Sequence, residues 1–502
     1  MTVLEGDDQG KQRVVHVLTG FGSGVQFGVH NSSLFNLIRG VAERVLFVRS
    51  DLGVLQPCRK PKANVFQRLD SIKVNLLKVL RPTTVVTRGE YPGLYSGRKQ
   101  KVYQSAYESL LLKSVNRKDA YCNTFVKAEK INFSSKGDPA PRVIQPRSPR
   151  YNLEVGRYLK LFEKELALGF YRLFGYNVIL KGLNADRVAE SIHSNWLSFN
   201  DPVAIGLDAS RFDQHVSVEA LQFEHSVYNS VFRSEGLAKL LKWQLHNRGF
   251  GRIGESLVRY DVDGCRMSGD INTGMGNCLI MSCLVLNYFS EVGLQARLSN
   301  NGDDCVVFCE RADLHKLDGI SDYFTDFGFN LKREPTVDVL EKIEFCQTQP
   351  VFVGDAYRMV RNPWIAMSKD CVSLLPMNDE SNFNTWRDAI GTCGLELTRG
   401  VPVWQSFYSA LRTDQFRSGG IDRVYDSGMG YMARGVKQVE SISDDSRYSY
   451  WKAFGIDPDL QAAMESEWPT ICYDPNPPMK NLADISSLST NPLRWLQTTT
   501  AN

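Results

Sequence analysis

The stretch RLSNNGDDCVVF, residues 297–308, sets two adjacent carboxylates, Asp303 and Asp304, between two apolar runs. Asn-Gly flanked by strand-like segments favours a tight primed turn, so the spacing predicts a hairpin about Asn301-Gly302 joining QARLSN to CVVFCE. Carboxylates are not buried without partners, so this hairpin must end at solvent, a cation or a cationic ligand. The tripeptide alone says little. Gly6, Asp7 and Asp8 repeat it in LEGDDQGK, where polar neighbours predict a solvated terminal segment with no strand around it.

Context separates the two copies. Upstream, AIGLDASRFDQH puts Asp208 where a hydrophobic strand ends, with Asp213 five residues later. If that strand pairs beside the 297–308 hairpin, Asp208 and Asp303 meet at one sheet end. Converging carboxylates repel one another unless cations intervene, and hard oxygen ligands favour Mg²⁺ or Mn²⁺. Two such ions can clamp an in-line phosphoryl displacement. Between these segments, SGDINTGMGN (268–277) supplies neutral donors and acceptors on Ser268, Thr273 and Asn277. Gly269, Gly274 and Gly276 would let the backbone approach a ligand, or simply make a turn before the helix NCLIMSCLVLNYFSEV.

Bulk properties narrow the class. With 502 residues, 43% hydrophobic and 11% aromatic, the chain can bury a large core across roughly three domains. The first twenty residues lack the apolar core of a signal peptide, and the longest apolar run, CLIMSCLVL (278–286), is half a membrane span. We therefore expect no membrane segment within the chain. The 11 cysteines form no C-x-x-C pair, which fits reduced thiols. A zinc site from Cys305, Cys309 and His315 lacks a fourth ligand. Net charge is only +3, but residues 111–160 hold eleven Lys/Arg against four Asp/Glu, and residues 441–502 hold four against eight. Such a local basic excess suggests a path for a polyanion or a solvated basic face.

Along the chain, GFGSGVQFG (20–28) reads as turns and LFNLIRGVAERVLFV (34–48) as an amphipathic helix. Prolines make PCRKPKA (57–63) and GDPAPRVIQPRSPR (137–150) extended. Helical periodicity returns at 65–80, at 103–115 and over about 153–173. PVAIGL (202–207) reads as a strand and SVEALQFEHSVYNSVF as a helix. After Pro363 the pattern is mostly helical, ending in a Pro/Ser/Thr-rich tail.

In the order Asp208-x4-Asp213, Ser268-Gly269-x3-Thr273-x3-Asn277, Gly302-Asp303-Asp304, the chain resembles motifs A, B and C of viral RNA-dependent RNA polymerases. FVKAEK…PAPRVIQPRSPR is similar to motif F, FGFNLK (327–332) to motif D and EFCQ (344–347) to motif E. The wording is nearest to plant positive-strand RNA viruses of the tombusvirus and umbravirus kind, over about Phe27 to Gly354. The resemblance implies an α+β fold, a closed right hand of fingers, palm and thumb with an antiparallel palm sheet and a mostly helical thumb. Residues 1–200 would hold the N-terminal region and fingers, 201–221 palm, 222–262 fingers, 263–355 palm, and 356–502 the thumb and tail.

The resemblance also implies roles. Asp208 and Asp303 would bind two Mg²⁺ or Mn²⁺ ions with Asp304 in support. Asp213, Ser268, Thr273 and Asn277 match the group that senses the ribose 2′-hydroxyl, and Gly269 stands with them among the NTP- and RNA-binding residues. Lys127, Lys130 and Arg142 match positions that hold the NTP triphosphate and RNA template, and Lys332 matches a lysine proposed to protonate leaving pyrophosphate. Aromatic candidates for supporting a first nucleotide are Trp404, Tyr408, Tyr450 and Trp451. Expected partners are template and nascent RNA, NTPs, a viral membrane-associated replication protein and host factors. The expected location is a membrane-associated replication complex in the host cytoplasm, with attachment through parts or partners outside this chain. Two rivals are a reverse transcriptase, against which Asn301-Gly302 argues, and a non-catalytic RNA-binding replication factor, which leaves Asp208, Asp213 and Asp303 unexplained.

Overall fold

PVAIGLDA forms a strand because β-branched Val203 and Ile205 lie in a short apolar run that Asp201-Pro202 closes off. This strand, β1 (Pro202–Ala209), lies inside a four-stranded antiparallel sheet with β2 (Ala296–Asn300), β3 (Asp304–Glu310) and β4 (Leu331–Arg333). The spatial order is β2-β3-β1-β4. In this computed structural model the described residues are 1–7, 10–18, 25, 27–50, 52–135, 137–375, 377, 379–413, 433–471 and 479–480. Both faces of the sheet are covered. Val203, Ile205 and Leu207 pack into one core with the long helices, while Ala204, Val306 and Phe308 pack into a second with the C-terminal third. Covering both faces is why these strands read as continuous apolar runs instead of alternating ones.

The helix Thr273–Val292 fills the first core, and every residue from Met275 to Phe289 is buried. Among the described residues it alone is long and apolar enough to cross a membrane, and 83% of its apolar window is buried inside the protein. It starts four residues before the point that the sequence predicts. Gly274 and Gly276 are helical, and a side chain at Gly276 would strike Arg266 and Glu224. Close packing, not turn geometry, accounts for glycine there. The helix Pro149–Phe174 likewise starts earlier than predicted, because Ser148 caps it and Pro149 fits its first position.

The segment LFNLIRGVAERVLFV divides into a helix, Leu34–Val41, a π-helical turn, Ala42–Leu46, and a strand, Phe47–Arg49. A hairpin that the sequence reading passed over, His246–Ile253 with Ser256–Asp263, carries the strand Thr2–Leu4 on its outer edge. The expectation of no strand near Asp7 is therefore corrected. Asp8 lies outside the described residues, as do most of GFGSGVQFG and the tail beyond Ile471 apart from Met479–Lys480. After Pro363 the described chain is helical as expected, in Pro363–Asp370, Glu380–Thr398, Trp404–Leu411, Asp444–Phe454 and Pro458–Glu467. Trp404, Tyr408 and Tyr450 are core residues at 0–1% exposure, whereas Trp451 is 43% exposed.

Candidate active site

Register brings the carboxylates together. Asp208 lies opposite Asp304 across the β1–β3 ladder and opposite Lys332 across β1–β4. Directly opposed residues have Cβ atoms about 4.5–5.5 Å apart, so Asp208 and Asp304 share one end of one sheet face. Asp303 occupies the turn between β2 and β3. That turn centres on Gly302-Asp303, one residue later than expected, with the Asn301 N–H donating to the Asp304 carbonyl at 2.9 Å. Gly302 has φ +99°, the place of glycine in a turn with positive φ at its first central residue. The buried Asn300 amide ties the turn down, donating to the Gly302 carbonyl at 2.7 Å and accepting from the Gly302 N–H at 3.2 Å.

Burial pushes the Asp304 carboxyl above its ordinary value, and the neighbouring Asp303 and Asp208 charges add to this. The Cys346 thiol contacts Asp304 as a hydrogen-bond partner, and its sulfur accepts from the Asn301 amide at 3.1 Å. Cys346 and Gln347 have φ +51° and +61°, left-handed values that are costly for residues with side chains. Reciprocal backbone bonds between Phe345 and Thr348, 2.9 and 3.1 Å, hold this turn against the carboxylates.

Asp208, Asp303 and Asp304 line a cavity of about 1170 Å³, together with Asp213, Ser268 and Arg142. Asp213 accepts from the Asn277 amide at 2.7 Å and, more loosely, from the Ser268 hydroxyl at 3.4 Å. Burial raises its pKa, while Asn277 and Arg266 pull it down. Asn277 is in the second turn of its helix, so it does not cap it. The cap position is Asn272. Gly269 presses on the backbone of Pro146, leaving no room for a side chain, so the proline-rich 137–150 segment is fixed against the loop. Asp270 in the same loop is buried in an ion pair with Arg147. Thr273 turns its hydroxyl to the carbonyls of Met267 and Asp270, 3.0 Å each, and so braces the loop.

The basic candidates separate. Arg142 lines the cavity and shares Glu129 with Lys127, at 3.3 and 2.7 Å. Lys130 points elsewhere. It donates to the Lys369 carbonyl at 2.8 Å, and burial lowers its pKa. Lys332 is exposed on the edge strand β4 and is absent from the cavity wall. Arginines that no sequence motif singles out also line that wall: Arg39, Arg44, Arg49, Arg211 and the deeply buried Arg266. Arg44 and Arg211 donate to the carbonyls of Ala140 and Glu43. Burial, and then Arg211 and Arg142, lower the Arg44 pKa to about 10. Only Arg211 carries a positional signal, lying between Asp208 and Asp213. Arg39, Arg44 and Arg49 come from the N-terminal helix and the chain just after it, which nothing in the sequence ties to the distant carboxylates. Cys305 and Cys309 are buried strand residues of the core.

The family model described as "Viral RNA dependent RNA polymerase" matches residues 1–471. The chain is 46% identical over 476 residues to the RNA-directed RNA polymerase of Melon necrotic spot virus, covering 93% of this chain and 60% of that protein. It is 43% identical over 484 residues to that of Turnip crinkle virus, covering 94% and 62%. For Tobacco necrosis virus (strain D) the identity is 44% over 483 residues, covering 93% and 66%. The chain thus spans about three fifths of the length of the curated relatives it matches.

Proposed function

The chain belongs to the viral RNA-dependent RNA polymerases, and from that premise we propose that it copies a positive-strand viral RNA, joining NTPs to an RNA 3′-hydroxyl. The observation that carries the proposal is the pairing of Asp208 with Asp304 beside Asp303, at a sheet end that opens into an arginine-lined cavity. In this reading the sheet is the palm of a closed right hand (201–221 and 263–355). Residues 1–200 and 222–262 form the fingers, and 356–502 the thumb and tail.

The donor set suits the divalent ions on which this family depends. Among the described residues no three His, Cys, Asp or Glu side chains form a ready-made metal cage. An open carboxylate set fits Mg²⁺, which keeps several waters and takes one or two carboxylates plus substrate phosphates. Asp208, Asp303 and Asp304 would hold two Mg²⁺ or Mn²⁺ ions, which when bound supply Lewis-acid stabilisation of an in-line displacement.

The chain's own groups do the rest. Arg44, Arg142 and Arg211, which all line the cavity, bind the triphosphate, and the partly desolvated Arg44 and Arg211 gain most from an incoming polyanion. Asp213, Asn277 and Ser268 orient the ribose, and Lys332 delivers a proton to the departing pyrophosphate. Gly269 and Thr273 set the loop that carries Ser268, and Lys127 supports Arg142 through Glu129. Template and nascent RNA are the macromolecular partners. A viral membrane-associated replication protein and host factors in a cytoplasmic replication complex complete the proposal.

Primed synthesis on an RNA template, run with NTPs and then with dNTPs, tests it. We expect template-directed RNA synthesis that vanishes in Asp303→Ala. Preference for dNTPs would point to a reverse transcriptase. RNA binding without any incorporation would point to a non-catalytic factor.

A further inference from the structure

Beneath the Asp213–Asn277 contact lies a charged pair that the proposed reaction does not use. Arg266 and Glu224 are ion-paired with both side chains at 0% exposure. Glu224 also accepts from the Asn272 amide at 2.7 Å and from the Tyr228 hydroxyl at 2.8 Å. Gly276 makes room for the pair, since a Cβ there would overlap the Arg266 guanidinium and the Glu224 carboxylate. A buried ion pair seldom stabilises a fold more than apolar residues of the same volume would. Its value is better sought in what it orients.

That target is Asn277. The Arg266 Nε donates to the Asn277 Oδ1 at 3.1 Å, and the Asn277 Nδ2 donates to the Asp213 Oδ1 at 2.7 Å. A guanidinium has donors only, so it can face nothing but the amide oxygen. With the oxygen held, the amide nitrogen has one direction left, toward Asp213. Asp213, steadied on that side and held only loosely by the Ser268 hydroxyl at 3.4 Å, turns its remaining lone pairs to the cavity that it lines. A carboxylate that can only accept is satisfied by a group that donates. A 2′-hydroxyl donates, and a 2′-hydrogen does not.

We infer that the buried Arg266–Glu224 pair is the positioning element for sugar selection, fixing the Asn277 amide so that Asp213 presents an acceptor to the ribose 2′-hydroxyl. This rests on the reading of Asp213 and Asn277 as the ribose-sensing group. Arg266 touches Asn277 and is a positioning residue, not a catalytic one.

The test is Arg266→Lys in the full chain, with NTP and dNTP efficiencies measured on a primed RNA template. Lysine keeps the charge beside Glu224 but loses the fork that also reaches Asn277. The ratio of NTP to dNTP efficiency should fall about tenfold, what one hydrogen bond lost at the transition state removes from a rate. The fall should lie mainly in NTP kcat/KM, with dNTP use changed less. In an Asn277→Ala background the same Arg266 change should move the ratio less than about twofold, because coupled residues are not additive. If Arg266→Lys does not fold, the neutral pair Arg266→Gln with Glu224→Gln should show the same fall. A folded Arg266 variant with the parent ratio, beside an Asn277→Ala variant that loses it, overturns the positioning role and leaves the Asp213–Asn277 reading standing. An unchanged ratio in Asn277→Ala itself overturns both.

Discussion

Gly6-Asp7 and Gly302-Asp303 begin with the same two letters at the end of a strand, and they do different things. At the first, the Gly6 N–H and carbonyl both bond the Ser256 hydroxyl, at 3.0 and 3.1 Å, and the Asp7 carbonyl accepts from the Glu255 N–H at 3.1 Å. The segment is tied by its backbone, and the Asp7 side chain is exposed. At the second, the backbone turn is closed by Asn300, and the carboxylates meet Asp208 across a ladder. A short acidic motif therefore acquires chemistry from its cross-strand neighbours rather than from its own letters.

The glycines differ as well. Gly302 has no neighbour nearer than 3.8 Å to a built Cβ, but its φ is +99°. Gly6 would collide with Glu255, at 2.8 Å from Cβ and 3.0 Å from the backbone carbon. One glycine is required by conformation and the other by contact.

The largest expected effect breaks the comparison if it fails. Asp303→Ala should abolish incorporation, a loss of about a thousandfold or more, since in the proposed two-metal reading this carboxylate contributes several kcal/mol at the transition state. RNA binding and the melting temperature should stay near the parent's. Substantial synthesis by this variant would remove the second copy from the chemistry.

Next comes the ion pair that anchors the loop facing the second copy. Arg147 and Asp270 are both nearly unexposed, and Arg147 also donates to the Ala120 carbonyl and to Asn247. Arg147→Met leaves Asp270 buried without its cation, and a urea midpoint should report about 3–5 kcal/mol of lost stability. A loss under about 1 kcal/mol would mean that the loop is held by Pro146 on Gly269 instead.

The proposed sugar-selection group sits third. Asn277→Ala should lower the NTP-to-dNTP efficiency ratio by about 1–3 kcal/mol equivalent, because a dNTP already leaves the network unpaired while an NTP now loses a partner. Reduced stability with an unaltered ratio would show that Asn277 supports the fold and has no part in choosing the sugar.

Much of the candidate site's geometry is legible in the sequence, and the reason is local. Asp208 and Asp304 end apolar strands, and strand pairing converts two such ends into one site whichever way the loops run. The turn falls one residue later than the strong Asn301-Gly302 signal predicts, because the Asn300 side chain that shifts it to Gly302-Asp303 acts through tertiary burial. TGMG looks like a loop, and only tertiary packing, Lys181 against Gly274 and the Arg266–Glu224 pair against Gly276, explains why glycines stand in a helix. Arg44 was invisible for the same reason. It reaches the cavity through the packing of an N-terminal helix against a segment 96 residues away, at Ala140. Order in the chain does not show where Lys130 points: its motif faces the cavity at Arg142, but its own ammonium meets the Lys369 carbonyl.

The two glycines sharpen the comparison at lower cost. Gly302→Ala forces a methyl-bearing residue into positive φ, about 1–2 kcal/mol of strain. The turn relieves that strain by moving Asp303, so incorporation should fall well over tenfold with a small shift in melting temperature. Gly6→Ala should do the reverse, costing about 1 kcal/mol as the Thr2–Leu4 strand gives way from Glu255, with incorporation unchanged. Parallel losses of activity in both variants would mean that the N-terminal strand and the carboxylate turn are mechanically linked.

Asp7→Ala carries the smallest effect and isolates the side chain from its backbone. Its carbonyl bond to Glu255 survives any substitution, and so do both bonds between Gly6 and Ser256. What changes is an exposed carboxylate outside the wall of the 1170 Å³ cavity. Surface substitutions of this kind fall within about 0.5 kcal/mol of the parent. The melting temperature should therefore match the parent's within error, and primed incorporation should stay within about twofold. The sensitive comparison is with Asp303→Ala under one set of conditions, because the two variants remove the same functional group from the same two-letter sequence. A drop of tenfold or more for Asp7→Ala, in protein that melts like the parent, would mean that the terminal carboxylate reaches substrate or RNA, and the contrast between the copies would fail.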